Sequence, residues 1–126
     1  MTYPTRTDVD SLFEHLGEKW DLTVSETPQG IEYEVLKDTK RVVFLWDAHR
    51  PEEFEFAFGS AGNFECTDWT EMWESERKES LFQYVEMVAM RYLENPTRLR
   101  RNWWVLGSHV LQYKNENGWH DVRSTT

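Results

Sequence analysis

Apolar positions along this chain follow two periods, and the switch between them divides it into elements. Val9, Leu12, Phe13, Leu16 and Trp20 form an i, i+3, i+4, i+7, i+11 stripe. That spacing predicts an amphipathic helix over roughly 8–19. Thr7, followed by Asp8-Val9-Asp10, supplies a hydroxyl cap with an acid three residues later, and Gly17 weakens the last turn.

Beyond Trp20 the period becomes two. Leu22 to Glu26 reads as a short strand and Thr27-Pro28-Gln29-Gly30 as a turn. In Ile31 to Lys37, residues Ile31, Tyr33 and Val35 point inward while Glu32 and Glu34 point outward. Asp38-Thr39-Lys40 is a tight connection. The next stretch, Arg41-Val42-Val43-Phe44-Leu45-Trp46, is apolar on both faces, which predicts an interior strand covered on both sides. A polar loop over 47–52, containing Pro51, leads to Phe54, Phe56 and Phe58, which alternate with Glu53, Glu55 and Ala57. Four strands joined by short loops make an antiparallel meander, with 41–46 at its middle.

Gly59-Ser60-Ala61-Gly62-Asn63 interrupts the pattern. Residues 64–75 read two ways: Phe64 to Thr67 suits a fifth short strand, whereas Trp69, Met72 and Trp73 have helical spacing. A firm helix begins near Glu76, with Leu81, Val85, Val88 and Tyr92 in one stripe and Phe82, Ala89 and Leu93 beside it. Asn95-Pro96 stops it. Arg101 to Leu106 is strand-like, and Gly107-Ser108 marks a turn or bulge. His109 to Lys114 places Leu111 and Tyr113 on one face. Asn115 to Gly118 ends in an Asn-Gly pair suited to a hairpin turn, and Trp119 to Val122 is the return strand. The expected class is α+β: an antiparallel sheet, a four-strand meander plus a C-terminal hairpin, with an N-terminal helix and a longer central helix packed on it. The 126 residues suit one domain, 1–126, with a core that needs neither disulfide nor metal.

Charge narrows the function classes. The net charge is −9, and the acid is concentrated early: 19 acidic and 8 basic side chains in residues 1–80, against 4 and 6 in residues 81–126. Nucleic acid and anionic membranes both need a basic face, so neither is an expected partner. Arg98, Arg100 and Arg101 beside Trp103 and Trp104 have the residue types of a single-strand binder, but read as local balance for the acidic part. Cys66 is the one cysteine, which excludes an internal disulfide and suits a reducing compartment. With no signal peptide and no run of about 18 apolar residues, a cytoplasmic location is expected.

Candidate chemistry is sparse. There is no Gly-x-Gly-x-x-Gly, no Walker lysine, no His-Glu-x-x-His and no Gly-x-Ser-x-Gly. His49 has Asp47 nearby but no third ligand at metal-site spacing. His120 and Asp121 are adjacent on a strand and point to opposite faces. His15 flanks the helix stripe, His109 reads as a boundary core residue, and Cys66 as a buried structural thiol. No catalytic residue, metal ligand or cofactor is assigned, and the chain reads as a non-enzyme.

The acidic segment is more informative. Eight acids lie from Glu52 through Glu76, with Trp69, Met72 and Trp73 among them. One reading is an acidic surface over core-facing tryptophans. The sharper one is a recognition surface in which aromatics supply contact and carboxylates steer a basic partner. Its candidate residues are Glu52, Glu53, Glu55, Glu65, Asp68, Trp69, Glu71, Trp73 and Glu74. A helix through 69–76 would set Glu71 beside Glu74 and Trp69 beside Trp73.

This acidic, Trp-rich layout, with its aromatic stretch at 52–76 and its terminal hairpin from Trp103-Trp104 to Trp119, resembles the immunity proteins of bacterial polymorphic and contact-dependent toxins. The resemblance implies a cytosolic protein, monomer or homodimer, that binds a cognate toxin domain, often a nuclease or a nucleotide-cofactor hydrolase, and blocks its active site. Two other classes compete: a dimeric secretion-chaperone-like binding protein, and a small-ligand-binding domain or enzyme.

Overall fold

The computed structural model describes residues 3–60, 63–71, 77–102 and 108–123, with side chains at 3–59, 77–100 and 110–123. The chain runs α1 (Arg6–Leu16), β1 (Asp21–Thr27), β2 (Gly30–Lys37), β3 (Lys40–Trp46), β4 (Glu53–Ser60), β5 (Asn63–Glu71), α2 (Lys78–Glu94), β6 (Thr97–Asn102), β7 (Ser108–Asn115) and β8 (Gly118–Asp121). This is an α+β architecture with the expected N-terminal helix and longer central helix. No helix among the described residues is long and apolar enough to cross a membrane.

β1 to β5 form one antiparallel sheet in sequence order, so β3 is its middle strand. Val42, Phe44 and Trp46 on β3 are buried, as are Ile31, Tyr33 and Val35 on β2 and Phe54, Phe56 and Phe58 on β4. Both helices cover this face. α1 contributes Val9, Leu12, Phe13 and Leu16; α2 contributes Leu81, Val85, Val88, Ala89, Tyr92 and Leu93. The Phe13 ring stacks on Tyr33 at 4.0 Å between centroids, within 9° of parallel. Tyr92 packs 5.0 Å from Phe58 and donates its hydroxyl to the Gly59 carbonyl. Lys40 Nζ donates to the Tyr92 and Asn95 carbonyls, placing a cation at the C-terminal end of α2, where the helix dipole favours one.

The expected cover on both sides of β3 is corrected on one side. Val43 and Leu45 are partly exposed, and the helices lie on the opposite face. Lateral neighbours account for their partial burial: Glu34 and Ala57 flank Val43, and Glu32 and Glu55 flank Leu45.

The first helix is also displaced. It runs Arg6–Leu16 rather than 8–19, and its cap is Thr5, not Thr7. Thr5 Oγ1 accepts the Asp8 N–H and Asp8 Oδ2 accepts the Thr5 N–H at 2.9 Å. Thr5/Asp8 and Thr7/Asp10 both have the capping-box spacing. Tertiary contacts separate them, because Asp10 is taken by the Tyr33 hydroxyl at 2.7 Å and by Arg6. Trp20 still reaches the core, beyond the helix, with its Nε1 donating to Glu94.

Two features of the β layout differ from expectation. The meander has five strands rather than four, because β5 pairs along β4 from Ser60↔Asn63 to Glu53↔Glu71, with a register shift at Phe58/Gly59. With that edge of β4 taken, the C-terminal strands form a sheet of their own in the order β6-β7-β8. Leu111, Tyr113 and Val122 carry this second sheet into the core. The Arg91 guanidinium of α2 lies 5.0 Å over Tyr113 and donates to the Val122 carbonyl. The strand expected over Arg101 to Leu106 begins earlier, as β6 (Thr97–Asn102), and the rest of that expectation, 103–106, lies outside the described residues.

Candidate protein-binding face

The face of the five-stranded sheet opposite α1 and α2 is built by alternation. Every residue that sends its neighbours under the helices points its own side chain the other way. On β2 these are Glu32 and Glu34; on β3, Arg41, Val43 and Leu45; on β4, Glu53, Glu55 and Ala57. Register then aligns them across strands. Glu32, Leu45 and Glu55 form one row, and Glu34, Val43 and Ala57 the next. Leu45 thus stands between carboxylates on both flanking strands, and Val43 between Glu34 and Ala57.

At one end of this face an open cleft of about 300 Å³ is lined by Gln29, Leu45, Asp47, Arg50, Glu53 and Glu55. Arg50 Nη1 stands 3.9 Å from Glu53 Oε2 and is largely exposed. Arg41 Nη1 lies 3.3 Å from Glu34 Oε2. The face with its cleft sets five carboxylates (Glu32, Glu34, Asp47, Glu53 and Glu55) against the guanidiniums of Arg41 and Arg50. Such an arrangement attracts a cationic surface and offers it an apolar landing strip.

The candidate residues read from sequence divide three ways. Glu53 and Glu55 stand on this face, and Glu52 is partly exposed in the turn before β4. Glu65, Asp68, Trp69 and Glu71 belong to β5, whose backbone alone is described. In register Trp69 is opposite Glu55, Glu71 opposite Glu53 and Asp68 opposite Phe56. Trp73 and Glu74 lie outside the described residues. The helix considered through 69–76 is corrected over 69–71, which are strand; β-branched Thr67 and Thr70 suit a strand, and the open edge of β4 offers the hydrogen bonds. The pairing of Glu71 with Glu74 and of Trp69 with Trp73 on one helical face therefore has no basis at its first members.

Several residues of this face were not among the sequence candidates: Glu32, Glu34, Val43, Leu45 and Asp47. The strict alternation of 31–35 already pointed Glu32 and Glu34 outward. What it could not supply was the register that sets them beside Leu45 and Val43.

The other singled-out side chains go elsewhere. His15 is exposed on α1, with Nε2 3.3 Å from Glu86 Oε1. Asp47 Oδ1 accepts the backbone N–H of His49, a turn-stabilising bond. His120 Nε2 meets Asn115 Oδ1 across the hairpin turn, and Asp121 Oδ1 accepts from Gln112. The side chains of His109 and Cys66 lie outside the described set. Among the described residues no three His, Cys, Asp or Glu side chains converge to hold a metal.

The displaced pKa values on the helix side mark structural clamps. Asp8 is held below the ordinary carboxylate range by the Thr5 N–H and then by Lys78. Glu94 is lowered by Lys37 and Trp20. Burial, reinforced by the bond to Asp10, pushes the Tyr33 hydroxyl up.

No known protein-family model, curated protein or solved structure matches this chain.

Proposed function

We propose that this chain is a non-catalytic inhibitor that binds a basic protein domain through the open face of its five-stranded sheet. In this reading it is an immunity protein acting in the cytoplasm on a cognate bacterial toxin, a nuclease or a nucleotide-cofactor hydrolase. The observation that carries the reading is the apolar pair Val43 and Leu45, partly exposed, with Glu34 and Glu32 beside them on β2 and Ala57 and Glu55 on β4. Burying two aliphatic side chains gives a partner contact energy, and the carboxylates select a cationic partner and speed its approach. The cleft beside them, with Asp47, Glu53 and Glu55 on its walls, has room for one lysine or arginine side chain of that partner. Enzymes that handle nucleic acid or nucleotides carry basic active-site surfaces, so an acidic face that covers one also blocks it.

The test is capture from the native organism with the full chain as bait, followed by co-expression of the captured domain in a bacterial host. Recovery of a basic domain whose toxicity the chain suppresses supports the reading. Turnover of a small molecule by the chain alone, or capture of acidic partners only, overturns it.

A further inference from the structure

The first edge of the five-stranded sheet, formed by β1, is open among the described residues. β1 hydrogen-bonds along its full length to β2, from Asp21↔Leu36 to Thr27↔Gly30, with no register break. Its other side is the end of the sheet. Natural sheets block such edges with proline, lysine, a bulge or a very short strand. β1 has none of these: it is seven residues long, Asp-Leu-Thr-Val-Ser-Glu-Thr, and unbroken; the charges that also guard edges are confined to Asp21 and Glu26 near its two ends, and Glu26 is held by Arg6. Its midpoint, Val24, is 45% exposed, one of the few large apolar side chains among the described residues left so open.

We propose that β1 pairs antiparallel with β1 of a second copy, about a two-fold axis through Val24, to make one continuous ten-stranded sheet. In this register Val24 faces Val24, Thr23 faces Ser25, Leu22 faces Glu26 and Asp21 faces Thr27. All seven residues are paired, and no two acids oppose each other. A slip by one residue sets Asp21 against Glu26 and also puts inward side chains opposite outward ones. Pairing on the axis covers both Val24 side chains on the helix side. Arg6 of α1 already holds Glu26 at 3.1 Å, which offsets the acid nearest the new junction. The net charge of −9 per chain opposes the association, so the dimer tightens as salt rises. A two-fold perpendicular to the sheet keeps both helix layers on one side. The two open faces bearing Glu32, Glu34, Glu53 and Glu55 then become coplanar.

Sedimentation equilibrium of the full chain, at low and at moderate salt, should give a monomer–dimer equilibrium that shifts toward dimer with salt. Val24→Lys should weaken it at least about tenfold, because a lysine on the axis meets its own copy, and at concentrations where both chains are monomeric the partly exposed site should leave the melting temperature little changed. Mild oxidation of Val24→Cys should give a disulfide-linked dimer, since directly opposed antiparallel residues fall within disulfide reach. Thr23→Cys, two residues out of register with its own copy, should cross-link far less, and the unmodified chain with Cys66 alone is the control. A monomer at every concentration overturns the proposal. So does a dimer indifferent to Val24→Lys, or exchange protection of 21–27 that appears only with a basic partner. None of these outcomes bears on whether the open face binds its target, which is measured separately.

Discussion

Lys78 Nζ lies 3.0 Å from Asp8 Oδ2, so the first turn of α2 is tied to the first turn of α1 through the residue that also caps α1. One carboxylate therefore fixes both helices over the sheet. Asp8→Ala should lower unfolding free energy by about 0.5–2 kcal/mol, the usual cost of a lost cap, read by urea denaturation. The pH dependence has a definite sign. The folded pKa of Asp8 lies below its ordinary value of 3.8. Its stabilisation is therefore complete above that value and is lost as pH falls through the folded one. Asp8→Ala should flatten the acid limb of the stability profile below about pH 4 and leave the neutral region parallel to that of the unmodified chain.

Gly30 opens β2 at φ +146°, and a Cβ there would lie 2.5 Å from the Trp46 carbonyl oxygen. Gly30→Ala combines a strained backbone with a clash against the end of β3. It should cost more than about 1 kcal/mol in a thermal or urea melt. A cost near zero would show that the 27–30 turn reorganises freely.

Phe44 is fully buried, 5.4 Å from the Phe13 ring and 5.9 Å from Phe56. It joins the middle strand to α1 and to β4. Phe44→Ala should cost about 3–5 kcal/mol. Val43→Ala, one residue away on the open face, should cost markedly less under the same denaturant series, because its side chain is only partly buried.

The contrast between those neighbours also shows what the sequence made legible. Alternation named the buried set on β2, β3 and β4 correctly, down to Tyr33 and Trp46, because a side-chain period of two needs no partner to be read. It could not say that both described helices lie on the other face of β3. Val43 and Leu45 are apolar for a reason that local sequence does not separate from burial. The fifth strand was obscured for a related reason: Trp69 fits helical spacing with 72 and 73, and only the open edge of β4 decides for strand. Thr5 and Thr7 were equivalent caps until Tyr33 claimed Asp10. In the candidate site, the acidic run supplied Glu53 and Glu55. Glu32 and Glu34, about twenty residues earlier, joined them only through strand order and register.

The binding face makes the most demanding prediction. Glu53 and Glu55 project away from the buried core, so Glu53→Lys combined with Glu55→Lys should leave the chain folded at a cost of no more than about 1–2 kcal/mol, most of it at Glu53, which stands beside Arg50. Against a basic partner the same pair should slow association and flatten its dependence on salt, because steering by surface charge is screened over about a Debye length. Leu45 tests the apolar pair on this face. Leu45→Ala should weaken binding by about 1 kcal/mol or more, chiefly through faster dissociation. Position 69 stands opposite Glu55 in the sheet, and Trp69→Ala separates the two meanings of that tryptophan. Weakened binding with an unchanged melting temperature places it in the interface. Full binding with a depressed melting temperature assigns it to the core. Unchanged association after the double charge reversal, together with unchanged dissociation after Leu45→Ala, would remove this face from recognition and leave the acidic surface with a role in solubility alone.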